Sequence, residues 1–116
     1  VKGEKLAAKF LRRAGMKILY RNYRPKGGGE VDIVCRDEKT LVFVEVKTRS
    51  SDEFGRPADA VNAEKRELIA RGARSWLRLL DKPETIARFD VVEVIAGGDR
   101  NEITHHKAAF VPKNGR

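Results

Sequence analysis

The sequence predicts an α/β fold, a mixed β-sheet flanked by helices. Apolar residues recur at helical spacing in two stretches, and in alternating or continuous short runs in five others. The two kinds of stretch follow one another in the order αβββαββ, with turn-forming residues between them.

Residues 3–14 read as a helix, with Leu6, Ala7, Phe10, Leu11 and Ala14 on one stripe and Gly15 as its stop. Residues 16–23 read as a strand, ended by the Pro25-Lys26-Gly27-Gly28-Gly29 loop. Residues 30–36 and 40–48 are strands joined by a short polar turn. In the second of these Leu41, Val42, Phe43, Val44 and Val46 make both faces apolar, as a central strand requires. Residues 50–57 read as a loop. A helix runs from Asn62 as N-cap to Leu80, with Leu68, Ile69, Ala73, Trp76, Leu77 and Leu80 facing inward. After Asp81-Lys82-Pro83 come a strand at 89–95, a turn at Gly97-Gly98-Asp99, a weaker strand at 103–110 and a frayed tail.

At 116 residues the length predicts one domain over 1–116, and 41% apolar residues suffice for a core. Charged residues make up 36%, but the two signs interleave with apolar positions, which argues against disorder. No apolar run approaches the roughly 20 residues of a membrane helix, and no secretory h-region is expected at the N-terminus. The single Cys35 excludes an intrachain disulfide, and there is no CxxC pair for zinc. A cytoplasmic protein with no membrane partner is the expectation. The net charge of +8 is localised: residues 1–28 hold nine basic side chains against Glu4, and the remaining residues carry 16 of each sign. A basic N-terminal quarter is the electrostatic footprint of a polyanion binder, or simply a solvated helix face.

The chemistry concentrates in Gly29-Glu30-Val31-Asp32 followed by Glu45-Val46-Lys47. Pairing the two strands around the polar turn sets Asp32 opposite Glu45 and Glu30 opposite Lys47. Opposed residues share a face, roughly 5 Å apart at Cβ, and Glu45 and Lys47 share it by alternation. A slip of one residue would separate the set. Opposed carboxylates repel, and burying them unpaired costs several kcal/mol each. A divalent cation relieves that repulsion; Mg²⁺ takes one or two protein carboxylates and leaves its other positions to water and phosphate. Lys47 can then act on the attacking water or the phosphate. The alternative is an internal salt-bridge network in which Lys47 only neutralises two acids.

Asp32, twelve intervening residues, then Glu45-Val46-Lys47 resembles the PD-(D/E)XK nuclease signature. The wider pattern resembles the bacterial YraN family of predicted endonucleases, related to archaeal Holliday junction resolvases. It is carried by Gly3-Glu4-Lys5-Leu6-Ala7, Arg21-Asn22-Tyr23-Arg24, Gly29-Glu30-Val31-Asp32-Ile33-Val34, Val42-Phe43-Val44-Glu45-Val46-Lys47-Thr48-Arg49, Ala60-Val61, Lys65-Arg66 and Arg88-Phe89-Asp90-Val91-Val92. The resemblance implies a restriction-endonuclease-like αβββαβ core and hydrolysis of phosphodiester bonds with Mg²⁺ or Mn²⁺. It implies Asp32, Glu45 and Lys47 as the catalytic trio, with Glu4 joining Asp32 and Glu45 toward the metal. Gly29-Glu30 stands where the bare motif has proline, and the resemblance gives Glu30 no defined role. The implied partner is nucleic acid, DNA before RNA and a branched form by analogy, with a homodimer where two strands are to be cut. A protein that kept the fold to bind nucleic acid or act as a scaffold, without turnover, is the alternative.

Beyond the hairpin, Arg49, Lys65, Arg66, Lys9, Arg12 and Arg13 are candidate phosphate contacts. Lys65 and Arg66 could equally be an exposed first turn of a helix, and residues 27–29 a plain loop. His105-His106 suggests a metal pair, but neighbours on a strand face opposite sides. Trp76 and Cys35 fit a core, Tyr20 and Tyr23 fit packing against the sheet, and Asp90 fits support of the fold's edge.

Overall fold

The structure, a computed structural model, describes residues 2–50, 61–81, 85–96 and 101–111. The predicted loop at 50–57, the turn at 97–99 and the tail lie outside them, apart from the backbone of Ser50 and Val111. Seven elements follow in the predicted order: α1 Lys2–Arg13, β1 Lys17–Tyr23, β2 Val31–Asp37, β3 Thr40–Ser50, α2 Ala63–Leu80, β4 Ala87–Ala96 and β5 Glu102–Phe110. The strands form one mixed sheet in the order β1-β2-β3-β4-β5. Neighbouring pairs are antiparallel except β3 and β4, which run parallel because α2 carries the chain back between them. No helix among the described residues is long and apolar enough to cross a membrane.

Each face of the sheet buries one helix. Ala7, Ala8 and Leu11 of α1 pack on Met16, Ile33, Cys35, Val42, Val44, Val92 and Val94. Small residues let the helix sit low: a Cβ on Gly3 would overlap the Thr48 hydroxyl. Gly15, at φ 97°, ends α1 in a paired cap, with its N–H bonded to Arg12 O and that of Met16 to Leu11 O, each at 3.0 Å. On the other face Ile69 and Ala73 of α2 meet Tyr23, Val31, Phe43, Phe89 and Val91. Asn62 caps α2 by accepting the Lys65 N–H at 2.8 Å.

Two residues predicted to face inward do not. Ala14 follows the last residue of α1 and Leu80 is the last of α2, so both run past the sheet and are exposed. Ala8 takes the place of Ala14 on the contact stripe. Tyr20 is half exposed, resting edge-on against Tyr23 and Trp76, while the Tyr23 hydroxyl lies 2.9 Å from Ser75 Oγ. Cys35 is fully buried beside Met16, and burial pushes its thiol up to about 12, so no thiolate is available.

Candidate active site

The strand register decides which side chains can work together. β2 and β3 pair with Ile33 opposite Val44, Val34 opposite Phe43 and Asp37 opposite Thr40, the register that sets Asp32 against Glu45. The backbone ladder stops at Ile33. Beyond it the Asp32 carboxylate accepts the Val46 N–H at 2.8 Å, doing with a side chain what the strand would otherwise do. Phe43 belongs to the α2 face, so alternation puts Glu45, Lys47 and Arg49 on that face too.

Glu30 departs from the predicted pairing with Lys47. β2 begins at Val31, and the Glu30 N–H goes instead to Leu68 O of α2 at 3.0 Å. Two glycines allow this crossing: Gly29, at φ 98°, has no room for a Cβ against the Gly72 backbone, and a Cβ on Gly72 would crowd Val31 and the Glu30 backbone. The Glu30 carboxylate thereby meets Arg24 Nη1 at 2.7 Å and Lys65 Nζ at 2.9 Å. These hydrogen bonds, Arg24's first, hold it below the usual glutamate range.

The sequence offers Lys65 as a phosphate contact or an exposed helix residue; the structure joins it to the acids. Its ammonium also lies 3.6 Å from Glu45 Oε2. Burial alone would lower its pKa, but the bond to Glu30 and the charges of Glu45, Glu30 and Asp32 raise it instead.

Glu45 is buried, and its Oε1 has no hydrogen-bond partner among the described residues. Its pKa is pushed up to about 8, first by burial, then by the charge of Asp32 and a bond to Asp32 available only to the protonated form. Lys65 and Lys47 pull it partly back. Lys47 is half-buried and opposite Glu93 in the parallel β3–β4 pair. Glu93, absent from the predicted set, is buried and pairs with Arg49 at 2.7 Å. The β3–β4 register brings it to the site, and the long crossover through α2 hides that register in sequence. Glu4 lies on the α1 side, 3.2 Å from Arg21 Nε. Among the described residues no three His, Cys, Asp or Glu side chains converge as one ligand set, so the acids come as the pair Asp32 and Glu45 with flanking ion pairs.

The other candidate contacts spread out. Arg66 donates to Val61 O at 2.9 Å and stacks on Phe110, which fixes it to the fold. Lys9, Arg12 and Arg13 are exposed on α1, across the sheet from Glu45. From Glu4 to Arg13 the helix rises roughly 14 Å, so only a polymer could touch both. His105 and His106 do not act as a pair: His105 Nε2 lies 2.7 Å from Asp90 Oδ2, while His106 Nε2 is buried without a hydrogen-bond partner among the described residues.

Asp90 is a buried hub rather than an edge support. It is completely buried and accepts from Arg88 Nε at 3.0 Å, from Ala108 N at 2.9 Å and from His105. A bulge in β5, with Ala108 at φ 51°, turns the Ala108 N–H toward it.

Residues 3–94 match the family described as "Uncharacterised protein family UPF0102". A "UPF0102 protein" of Geobacter metallireducens is 47% identical over 109 residues, covering 94% of this chain and 88% of the relative. One of Nocardia farcinica is 51% identical over 109 residues, covering 93% and 85%. One of Chlorobaculum parvum is 45% identical over 115 residues, covering 94% and 88%. With the matched stretch running from the start of α1 into β4, and so through every residue of the acid pair and its lysines, the chain belongs to the UPF0102 family.

Proposed function

We propose that this protein is a metal-dependent nuclease that hydrolyses phosphodiester bonds in DNA, with Asp32, Glu45 and Lys47 as its catalytic residues. One observation carries this: a buried glutamate faces an aspartate across a strand pair and keeps one oxygen without a partner among the described residues. A fold selected only for stability fills such a position with an apolar side chain or supplies donors for every lone pair. The donor set is two hard carboxylate oxygen ligands, which fits Mg²⁺ or Mn²⁺. Such an ion, when bound, supplies Lewis acidity at the phosphate and a more acidic water.

The protein's own part is positional. Val46 N–H fixes the Asp32 carboxylate by one of its oxygens, at 2.8 Å. Lys47, on the same face as Glu45, would act on an attacking water or a phosphate oxygen there. Arg24 and Lys65 place positive charge beside the acids, and the exposed Lys9, Arg12 and Arg13 extend that charge along α1. A substrate long enough to span both faces follows from that spread, with a branched form and a protein dimer as the version in which two strands are cut.

The test is cleavage of branched, flapped, single-stranded and duplex DNA with Mn²⁺. Wild type should cut at least one; Asp32→Asn should cut none; Lys47→Ala should lose about 10²–10⁴-fold in rate while keeping most binding. Activity that survives in both variants would belong to a contaminant and sink the proposal. Wild type that binds but never cuts would leave the scaffold alternative standing. Binding itself should weaken with salt, and neutralising Lys9, Arg12 and Arg13 together should flatten the log–log slope by roughly 0.9 for each phosphate no longer neutralised. A slope indifferent to all three would move the footprint to the Arg24 side.

A further inference from the structure

A lysine in the first turn of a helix sits at the wrong end. The exposed N–H groups there carry positive partial charge, and acids are the favoured residues. Lys65 occupies that turn, its own N–H bound by Asn62. Its side chain runs to Glu30 from the β1–β2 loop at 2.9 Å and to Glu45 from β3 at 3.6 Å, and its ammonium feels Asp32 as well. Two acids, Glu30 before β2 and Glu45 on β3, therefore share one tethered cation, with the charge of Asp32 acting on it as well. The contact with Glu45 is the longer of the two, and Glu30 holds the lysine by the shorter one.

We propose that Lys65 is the built-in counter-ion of the Asp32–Glu45 pair, competing with a divalent cation for Glu45 and withdrawing to Glu30 when that cation binds. This rests on the metal-site reading above. Glu30 thereby gains a role: it is the parking position of the displaced lysine, shared with Arg24 at 2.7 Å. Without Lys65, Glu45 and Asp32 would repel with less relief, so the metal-free protein would be weaker and its affinity for a divalent cation greater. Competition between two ligands for one group is reciprocal: what the metal does to Lys65, Lys65 does to the metal.

The experiment measures Mn²⁺ affinity by calorimetry and melting temperature in EDTA and in Mn²⁺, with wild type, Lys65→Met, Lys65→Gln and Arg24→Gln. Both Lys65 variants should bind Mn²⁺ about five- to tenfold more tightly, and should melt lower in EDTA yet gain more from Mn²⁺ than wild type. Arg24→Gln removes a charge from Glu30 without touching Glu45 and should change Mn²⁺ affinity much less. A wild type that is silent to Mn²⁺ beside Lys65 variants that respond would support the proposal in its strongest form. Equal or weaker Mn²⁺ binding by the Lys65 variants, with wild type responding, would overturn the counter-ion role and leave the metal site in place. No response from any of them would overturn both. Should Lys65→Met fail to fold, Lys65→Gln keeps a polar head for Glu30 and carries the same comparison.

Discussion

Two carboxylates are buried side by side in the centre of the sheet, and they are treated in opposite ways. Glu45 of β3 and Asp90 of β4 lie one step apart in the parallel register, where Val44 faces Asp90 and Glu45 faces Val91. They point to opposite layers, Glu45 toward α2 and Asp90 toward α1. Burial acts on both in the same direction, raising the cost of the charged form. For Asp90 that cost is more than offset: His105, Arg88 and the Ala108 N–H all bond to it, and its pKa falls below the usual aspartate value. Arg88 is itself anchored by Asp37 at 3.1 Å. For Glu45 the group facing it across the strand pair is another acid, its Oε1 has no hydrogen-bond partner among the described residues, and the pKa climbs to about 8. The difference is one of supply. Where the fold brings donors to a buried acid, the acid ties strands together; where it brings a second acid, one of the pair must keep its proton or the two must share a cation.

The largest effect should come from breaking the satisfied side. Asp90→Ala leaves the Arg88 guanidinium, the His105 ring and the Ala108 N–H facing a void. Removing one partner of a buried ion pair typically costs about 3–5 kcal/mol. Urea denaturation should show a loss of that order, and a change under about 1 kcal/mol would mean that Asp90 is dispensable to the fold. The same acid predicts a pH dependence. Its folded pKa lies below its unfolded value of about 3.9, so its contribution is fully present above that value. It is lost as pH falls through the lowered folded pKa. Asp90→Asn should flatten the acid limb of the stability curve; an acid limb identical to wild type would assign acid unfolding to other carboxylates.

How much of this contrast the sequence carries depends on the distance over which each partner must be found. Asp32, Glu45 and Lys47 are legible because one short hairpin sets their register, and alternation does the rest. The helix ends are legible at Asn62 and Gly15 because capping is local. Lys65 and Glu93 are not: each reaches the site across the β3–α2–β4 crossover, whose register no local pattern encodes. Asp90 is the clearest miss. Its partners come from three places, Arg88 two residues earlier, His105 and a bulged Ala108, and the bulge has no signature in Lys107-Ala108-Ala109. Glu30 reads as a strand residue until Gly29 and Gly72 draw it onto α2, a close approach of loop and helix that lie far apart along the chain.

The smallest stability effect should come from the unsatisfied side, and it sharpens the comparison most. Glu45→Gln keeps the volume and removes the charge. It forfeits an ion pair with Lys65 at 3.6 Å, which is weak because Lys65 keeps its shorter bond to Glu30. In exchange it removes the repulsion with Asp32 and lets the amide donate to that carboxylate at any pH, a bond that the glutamate makes only when protonated. The two terms nearly cancel, so stability in EDTA should change by less than about 1 kcal/mol, on the favourable side. The gain in stability from Mn²⁺ should disappear at the same time, since one of the two carboxylate ligands is gone. An isosteric change that costs about 3 kcal/mol in EDTA would put Glu45 in the same class as Asp90, a structural acid, and the distinction between the two faces of the sheet would fall with it.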